Sequence, residues 1–295
     1  LETLSVLDAT LKLLKKRNIN VDLNYIDLKD KKTFETLALG NTLGVFQLES
    51  IPMRQVLKQL RADRIEDIIA VVALYRPGPM EQIPAYITRK HNNKLTTYPH
   101  PLLKDLLEET HGIMIYQEQV MEAARIIAGF SLAKADLLRR AMGKKIKSEM
   151  ADLKESFIKG SAKNNISILQ AEKIFSDIEK FAGYGFNKSH AAAYALISYQ
   201  TAWCKTNYPA EFFTSLLNSE INNANEKFIP IKSEIERTGI KLLKSDLNYS
   251  QTFFSVENLD KNIAIRSGLA NIKNVSVELA NYIVKEREDN GKYKS

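Results

Sequence analysis

Residues 181–208 constrain the fold of this chain more than any other stretch. They read FAGYGFNKSHAAAYALISYQTAWCKTNY, and neither Gly nor Pro interrupts them between Gly185 and Pro209. This pattern predicts a helix of roughly 17 residues that the proline ends. Asn187 or Ser189 would cap the helix, and the alanines near its start leave room for another backbone or a ligand to approach closely.

The start of this predicted helix carries a compact polar and cationic cluster: Asn187, Lys188 and His190. A helix N-terminus offers free N–H groups and partial positive charge, so added cations make it a ready site for an anion such as phosphate. In the alternative interpretation, Gly183 and Gly185 merely end the preceding helix and Lys188 is solvated.

Residues 134–147 form a second basic cluster, with Asp136 as its single acid. Adjacent like charges repel one another, so the cluster is favourable when an anion neutralises it. Gly143 is expected to end the helix there and to place the next two lysines in a turn. A solvated basic face is the alternative. The basic residues of the cluster are Lys134, Arg139, Arg140, Lys144, Lys145 and Lys147.

Composition favours a globular protein with a polyanionic partner. The 295 residues are long enough for two domains, and 44% of them are apolar. The net charge of +7 favours a partner such as a nucleic acid. The single cysteine, Cys204, and four scattered histidines provide neither a disulfide framework nor a zinc site. The longest apolar run, residues 68–74, is too short to span a membrane, so we expect a cytoplasmic protein without membrane contact.

Local patterns elsewhere predict a mainly helical chain. Leucines recur at helical spacing in the first twenty residues, and Ser167 to Gln170 form a capping box. Arg76 precedes Pro-Gly-Pro, which makes a stiff turn that would hold the arginine in place; a purely structural turn is the alternative. The Asn-rich residues 218–225 mark a domain boundary. Short strands are predicted at 240–243, 252–256 and 262–266, followed by helix, turn and helix over 268–288.

The chain contains cations that can hold phosphate but lacks the acids of a phosphoryl-transfer site. Such a site needs clustered carboxylates that hold two metal ions close together, and no Asp-x-Asp pair occurs. There is also no defensible Ser-His-Asp order and no context for a nucleophilic cysteine. The residues therefore describe half of an active site.

Five segments occur in an order that resembles a known family. They are GVFQLES at 44–50, ALYRPGPM at 73–80, GIMIYQEQVM at 112–121, LLRRAMGKK at 137–145 and FAGYGFNKSHAAAYALISYQTAW at 181–203. Together they resemble the fingers of the alpha subunit of bacterial DNA polymerase III, the replicative polymerase of the C family. The resemblance covers nearly the whole chain.

This resemblance implies a division into three parts. Residues 1–30 would be the C-terminal edge of the palm, 31–218 the helical fingers, and 219–295 a small α+β region with the start of a helix-hairpin-helix DNA-binding region. The fingers would bind the incoming deoxynucleoside triphosphate (dNTP) and the template. The residues implied for these contacts are Arg139, Arg140, Lys144, Lys145, Asn187, Lys188 and His190, with Arg76, Tyr116 and Gln117 in supporting positions.

The resemblance also implies an enzymatic parent, a DNA-directed DNA polymerase that uses Mg²⁺. In the family layout the catalytic aspartates lie N-terminal to Leu1, and the chain lacks an initiator Met, so we expect a piece of a longer protein that is inactive alone. The implied partners are primer–template DNA, dNTP and other subunits of the replicative holoenzyme, the latter through segments outside this chain.

One departure from the family pattern counts against DNA binding by the hairpin. Asn274 and Ser276 stand where the family carries glycines that let backbone N–H groups reach a phosphate. Two other classes of protein stay open: a non-enzymatic nucleic-acid-binding module, and the inactive remnant of a split gene.

Overall fold

The computed structural model describes residues 2–144, 147–182, 184–220, 227–260 and 262–294. These ranges contain fourteen α-helices and one small sheet, which confirms the predicted mainly α fold. The helices are α1 (Glu2–Lys16), α2 (Lys31–Ala38), α3 (Ile51–Leu60), α4 (Ile65–Leu74), α5 (Ile83–His91), α6 (Lys104–Leu107), α7 (Gln117–Ala128), α8 (Leu132–Lys144), α9 (Lys147–Ser161), α10 (Ile168–Ala182), α11 (Lys188–Asn207), α12 (Pro209–Ser219), α13 (Phe228–Arg237) and α14 (Val277–Asn290).

The chain forms two compact units. Unit 1 contains residues 1–54 and 198–295, and unit 2 contains residues 55–197. The division falls inside α3 and α11, so each unit includes part of both helices. The predicted functional boundaries near residues 30 and 218 follow the family layout and stay predictions.

Unit 1 begins with the leucine-patterned helix. Leu7 and Leu14 are buried on one face of α1, and Lys16 lies in its last turn, where a cation complements the helix dipole. This face packs against α12, whose Phe212 and Phe213 are fully buried. Burying large aromatic side chains is strongly favourable, so the α1–α12 pair is a main contributor to the core of this unit.

A three-stranded sheet follows in unit 1. Its strands are β1 (Lys241–Leu243), β2 (Ser255–Asn258) and β3 (Ile263–Arg266), in the order β1-β3-β2. Strand β3 pairs in parallel with β1 and antiparallel with β2.

Strand β2 begins later than the predicted Thr252. The carbonyls of Gln251 and Thr252 accept hydrogen bonds from the backbone N–H groups of Leu269 and Ala270, at 2.9 and 3.0 Å. This backbone therefore pairs with the turn before α14 rather than with the sheet.

The turn before α14 accommodates Asn274 and Ser276 at the two positions where the family carries glycines. Asn274 has φ +68°, in the left-handed region where Asn is tolerated better than most residues. The Ser276 hydroxyl accepts a hydrogen bond from Leu279 N at 3.1 Å and so caps α14. The two substitutions thus support a hairpin conformation, while DNA binding by this turn stays untested.

Unit 2 is built around one helical core. Helices α7, α8, α9 and α10 pack against each other in pairs, and Ile127, Leu138, Phe157 and Phe175 are among the buried residues. The rings of Phe157 and Phe175 meet edge to face with centroids 5.3 Å apart. This core includes α7 and α8, which carry or adjoin the predicted site residues Tyr116, Gln117, Arg139 and Arg140.

Helix α8 extends slightly further than predicted, because Gly143 lies within it and the helix continues to Lys144. The predicted site residue Lys145, the turn residue Gly183 and residues 221–225 of the predicted boundary lie outside the described residues. Within the described part of the chain, no helix has both the length and the apolar character needed to cross a bilayer.

Candidate functional site

Residues 184–190, here called the junction, lead into α11 and are tied to the segment before α7. Phe186 N donates to the Ile115 carbonyl at 3.2 Å, and Gln117 N donates to the Phe186 carbonyl at 2.9 Å, which forms one parallel bridge. The Gln117 side chain also donates to the Gly185 carbonyl at 3.1 Å. These bonds fix the start of α11 beside the start of α7.

Asn187 caps α11, as the sequence predicts. Its Oδ1 accepts a hydrogen bond from His190 N at 2.8 Å. Its Nδ2 donates to Glu118 Oε1 at 2.8 Å, and Lys188 N donates to Glu118 Oε2 at 3.0 Å. The anion that the structure shows at this helix N-terminus is a carboxylate of the protein itself, while phosphate binding there stays a prediction.

The Lys188 side chain is paired rather than simply solvated. Its Nζ lies 2.8 Å from Glu109 Oε1 and 5.3 Å from the centroid of the Tyr116 ring. The side chain remains 41% exposed, so one side of the ammonium still faces solvent. The carboxylate and the aromatic ring hold the ammonium in place, so that its solvent-facing side can bind an anionic ligand.

Arg76 supports the junction from the turn after α4. Its Nε donates to the Ala73 carbonyl at 3.0 Å, and its Nη2 donates to the Tyr184 carbonyl. Its guanidinium carbon lies 4.6 Å from the centroid of the Phe186 ring, and burial lowers the pKa of Arg76. The predicted stiff turn therefore positions an arginine that binds the protein's own backbone.

Tyr116 forms the buried side of the cluster. It is 1% exposed, burial raises the pKa of its hydroxyl, and this hydroxyl lacks a hydrogen-bond partner among the described residues. Gln119 Oε1 accepts from the backbone N–H groups of Ile115 and Tyr116, at 2.8 and 3.0 Å, and so holds the segment in place.

His190 lies on the exposed side of the junction. Its ring centroid is 5.4 Å from that of Phe186 and 4.3 Å from that of Tyr194. The imidazole is therefore positioned by aromatic contacts, with its edge open to solvent.

The guanidinium pair of α8 shares one carboxylate. Nη2 of Arg139 lies 2.8 Å and Nη2 of Arg140 lies 2.5 Å from oxygens of Asp136. The hydrogen bond from Arg139 is the main cause that lowers the pKa of Asp136. Because one acid faces two guanidinium groups, a net positive charge remains on this face, and exposed Lys144 adds to it.

The structure thus brings Arg76, Tyr116, Gln117, Asn187 and Lys188 together through direct contacts. Arg139 and Arg140 make their polar contacts within α8, so their predicted meeting with the junction around one polyphosphate stays a prediction.

Sequence reasoning missed Glu109 and Glu118, the two carboxylates that complete the junction. They lie 79 and 70 positions from Lys188, which is far beyond any local pattern. The motif GIMIYQEQVM contains Glu118, but its spacing does not indicate that Glu118 accepts hydrogen bonds from the start of α11.

Two family models match the chain. The model described as bacterial DNA polymerase III alpha subunit finger domain matches residues 3–165, and a helix-hairpin-helix motif matches residues 239–295. The first covers more than half of the chain and defines a polymerase finger domain.

Curated relatives agree with the family models. The DNA polymerase III subunit alpha of Rickettsia felis is 53% identical over 88% of this chain and 21% of its own length. Those of Xylella fastidiosa strain Temecula1 and Caulobacter vibrioides are 48% and 46% identical over 100% of this chain and 25% of their own lengths. The chain therefore belongs to the family of bacterial DNA polymerase III alpha subunits, and it spans about a quarter or less of the length of these relatives.

Proposed function

We propose that this chain is the part of a DNA-directed DNA polymerase that binds the phosphates of the incoming dNTP and the adjacent template. The observation that carries the proposal is the finger-domain match over residues 3–165, which includes the guanidinium pair of α8, half-buried Arg139 and exposed Arg140. The names of the relatives support a replicative polymerase as the longer protein.

The proposed contacts are divided between two surfaces. Arg139, Arg140 and Lys144, together with Lys145, would bind phosphate oxygens, since guanidinium groups form paired hydrogen bonds with them. Lys188 would add a single positive charge from the oriented ammonium of the junction.

The helical connectivity of unit 2 supports a meeting of these surfaces. Helices α7 and α8 pack on one another and are separated only by residues 129–131. A short connection favours an antiparallel helix pair, in which the end of α8 returns towards the start of α7. Tyr116 and Gln117 hold the junction at that end of α7.

The chemistry that we propose for this chain is the placement of charge. Positioned cations stabilise charge that develops on transferring phosphoryl groups, and they hold reactants in line. Among the described residues, no three His, Cys, Asp or Glu side chains are grouped so that they could hold a metal ion. In this proposal, Mg²⁺ and the catalytic carboxylates belong to the longer polymerase.

The proposed partners follow from the proposed role as a polymerase finger domain. Primer–template DNA and dNTP would bind the finger surfaces, and other subunits of the replicative polymerase would bind segments outside this chain. The net charge of +7 favours polyanionic partners of this kind.

The test is a titration of dNTP into the protein as its own gene encodes it, with and without primer–template DNA. We expect Arg139→Glu combined with Arg140→Glu to lower dNTP affinity at least about tenfold, since two charge-assisted contacts become repulsive. Lys159→Glu is the matched control, because Lys159 is an exposed cation on the neighbouring helix α9 that pairs with Glu155.

Two outcomes would favour the other classes of protein. Salt-dependent DNA binding without any preference for triphosphates would indicate a non-enzymatic nucleic-acid-binding module. Binding of neither ligand would indicate an inactive remnant.

A further inference from the structure

Asp67, near the start of α4, is a carboxylate without exposed surface. It accepts hydrogen bonds from the Tyr86 hydroxyl at 3.1 Å and from Arg64 Nε at 3.3 Å, and its Oδ2 lies 2.9 Å from Lys90 Nζ. A buried charge is stable in a protein only when it is paired and hydrogen-bonded in this way. Asp67 therefore provides a fixed anchor for the guanidinium of Arg64.

The other side of the Arg64 guanidinium contacts the segment before α7. Nη2 donates to the Glu109 carbonyl oxygen at 2.8 Å and lies 3.2 Å from Nε2 of His111. Since guanidinium groups only donate, Nε2 of His111 acts as the acceptor and the imidazole proton lies on Nδ1. Arg64 thus connects the buried Asp67 to the backbone of Glu109 and to the imidazole of His111.

Glu109 is the residue that holds Lys188. Both carboxylate oxygens lie within 3.1 Å of Lys188 Nζ, while the backbone of Glu109 is bound by Arg64. A chain of contacts therefore runs from a buried anchor, through one guanidinium and one backbone carbonyl, to the ammonium of the junction.

We propose that Arg64 is a positioning residue for Lys188. It holds the backbone of Glu109, so that the carboxylate of Glu109, and with it the Lys188 ammonium, occupies one defined place. The consequence for triphosphate binding rests on the proposed function, whereas the positioning of Lys188 does not.

The decisive variant is Arg64→Lys in the protein as its own gene encodes it. Lysine keeps the positive charge beside Asp67 but lacks the planar fork that reaches two acceptors on different sides. We expect Lys188 to be released from Glu109 and to be acetylated about threefold faster or more by isotope-labelled acetic anhydride, followed by mass spectrometry.

Two further variants serve as the negative and the positive control for the acetylation rate of Lys188. Arg125→Lys is the matched control, since Arg125 also pairs with a carboxylate three residues away, Glu122. Its expected effect on Lys188 acetylation is nil. Glu109→Gln removes the partner of Lys188 without altering a side chain that Arg64 contacts, and we expect it to raise the acetylation rate as Arg64→Lys does.

His111→Asn perturbs the same contacts of Arg64 by a different substitution, so the proposal can still be tested if Arg64→Lys does not fold. Asn tolerates the left-handed backbone of His111, φ +52°, and carries a shorter acceptor opposite Arg64. We expect faster acetylation of Lys188 in this variant too, by a smaller factor.

Triphosphate affinity is the second readout. Arg64→Lys is expected to weaken dNTP binding about tenfold, and to weaken it no further in a Lys188→Met background, because both changes act through one ammonium.

The outcomes separate the two proposals. Equal rates of Lys188 acetylation in Arg64→Lys and Arg125→Lys overturn the positioning role, whatever the effect of these changes on dNTP affinity. Faster acetylation together with unchanged dNTP affinity in Lys188→Met supports the positioning role and overturns the proposed contact between Lys188 and the triphosphate.

Discussion

Gly78 has φ +96° in the turn that carries Arg76, a conformation that other residues rarely adopt, and a Cβ added there would lie 2.5 Å from the Tyr184 ring. The same turn holds the guanidinium that binds the Tyr184 carbonyl. Gly129, at the end of α7, also has positive φ, +64°, but a Cβ there meets nothing within 4 Å. Gly129 (ψ 28°) lies in the left-handed helical region, whereas Gly78 (ψ −77°) lies outside it, so Gly78 combines greater backbone strain with a steric clash.

Gly78→Ala is expected to destabilise the protein by about 2–4 kcal/mol, and Gly129→Ala by only about 1 kcal/mol, because alanine is more strained at Gly78 and also clashes with Tyr184 there. Denaturant titration followed by circular dichroism measures both. Equal losses would contradict both the greater strain at Gly78 and the restraint that Tyr184 places on this turn.

His111 makes stability depend on pH. Burial first, and then the charge of Arg64, lowers the pKa of His111 below its ordinary 6.5; Asp67, Lys90 and Arg89 also face it. As the pH falls through about 6.5, the unfolded chain gains a proton that the folded protein does not accept, so the free energy of unfolding decreases. Above that pH this loss is absent.

We therefore expect His111→Asn to lose less stability than the unmodified protein between about pH 7 and pH 5. The measurement is the denaturation midpoint across that range. Carboxylates titrate in both proteins, so only the difference between the two slopes reports His111. Identical slopes would mean that His111 takes up its proton equally well in the folded state.

At the scale of elements, the starts of α7 and α11 are joined through Glu118. This residue lies in the first turn of α7, where an acid complements the helix dipole, and it accepts from Asn187 and Lys188 at the start of α11. One carboxylate thus interacts with two helix N-termini. The hydrogen bond between Asn187 and Glu118 can be tested by moving the negative charge from residue 118 to residue 187.

Asn187→Asp is expected to cost about 1 kcal/mol, because the helix cap is kept but a donor to Glu118 becomes a second carboxylate. Glu118→Gln alone is expected to cost a similar amount, since its amide donor faces the amide of Asn187. Combining the two restores a donor–acceptor pair, so the double variant should recover most of the lost stability in thermal denaturation. Strictly additive losses would show that Glu118 and Asn187 do not interact in solution.

At the scale of the whole molecule, the two cationic regions differ in how far nearby carboxylates neutralise their positive charge. In the junction, Glu109 and Glu118 balance the cationic groups around Lys188, whereas on α8 a single acid faces Arg139 and Arg140. Binding of a polyanion would therefore begin at α8, where attraction is not already satisfied, and the junction would act on a ligand that has been captured.

The 295-residue chain by itself is expected to yield no template-directed primer extension in the presence of dNTP and Mg²⁺. Phosphoryl transfer of this kind uses carboxylates that hold two metal ions, and the described residues lack such a group. Gel electrophoresis of a labelled primer tests this, with a full-length relative as the positive control. Extension that follows the template sequence would refute the expectation.

Several elements could be predicted because their signals are local. The leucine spacing of α1, the cap at Asn187 and the strand-like runs of the sheet all depend on residues within about one or two turns of each other. The sequence also identifies Asp136 as the single acid of the basic cluster, and the structure pairs it with both arginines of α8.

The sequence by itself therefore determined the helical class, the family and which cations stand at helix ends. Only the tertiary structure decided how those cations are used: Lys188 is held by Glu109, the start of α11 is bound by Glu118, and Arg76 supports the junction backbone. The physical reason is that these partners are separated by 70 to 108 positions. Packing of the helical core brings such residues together, and no periodic pattern in the chain encodes that meeting.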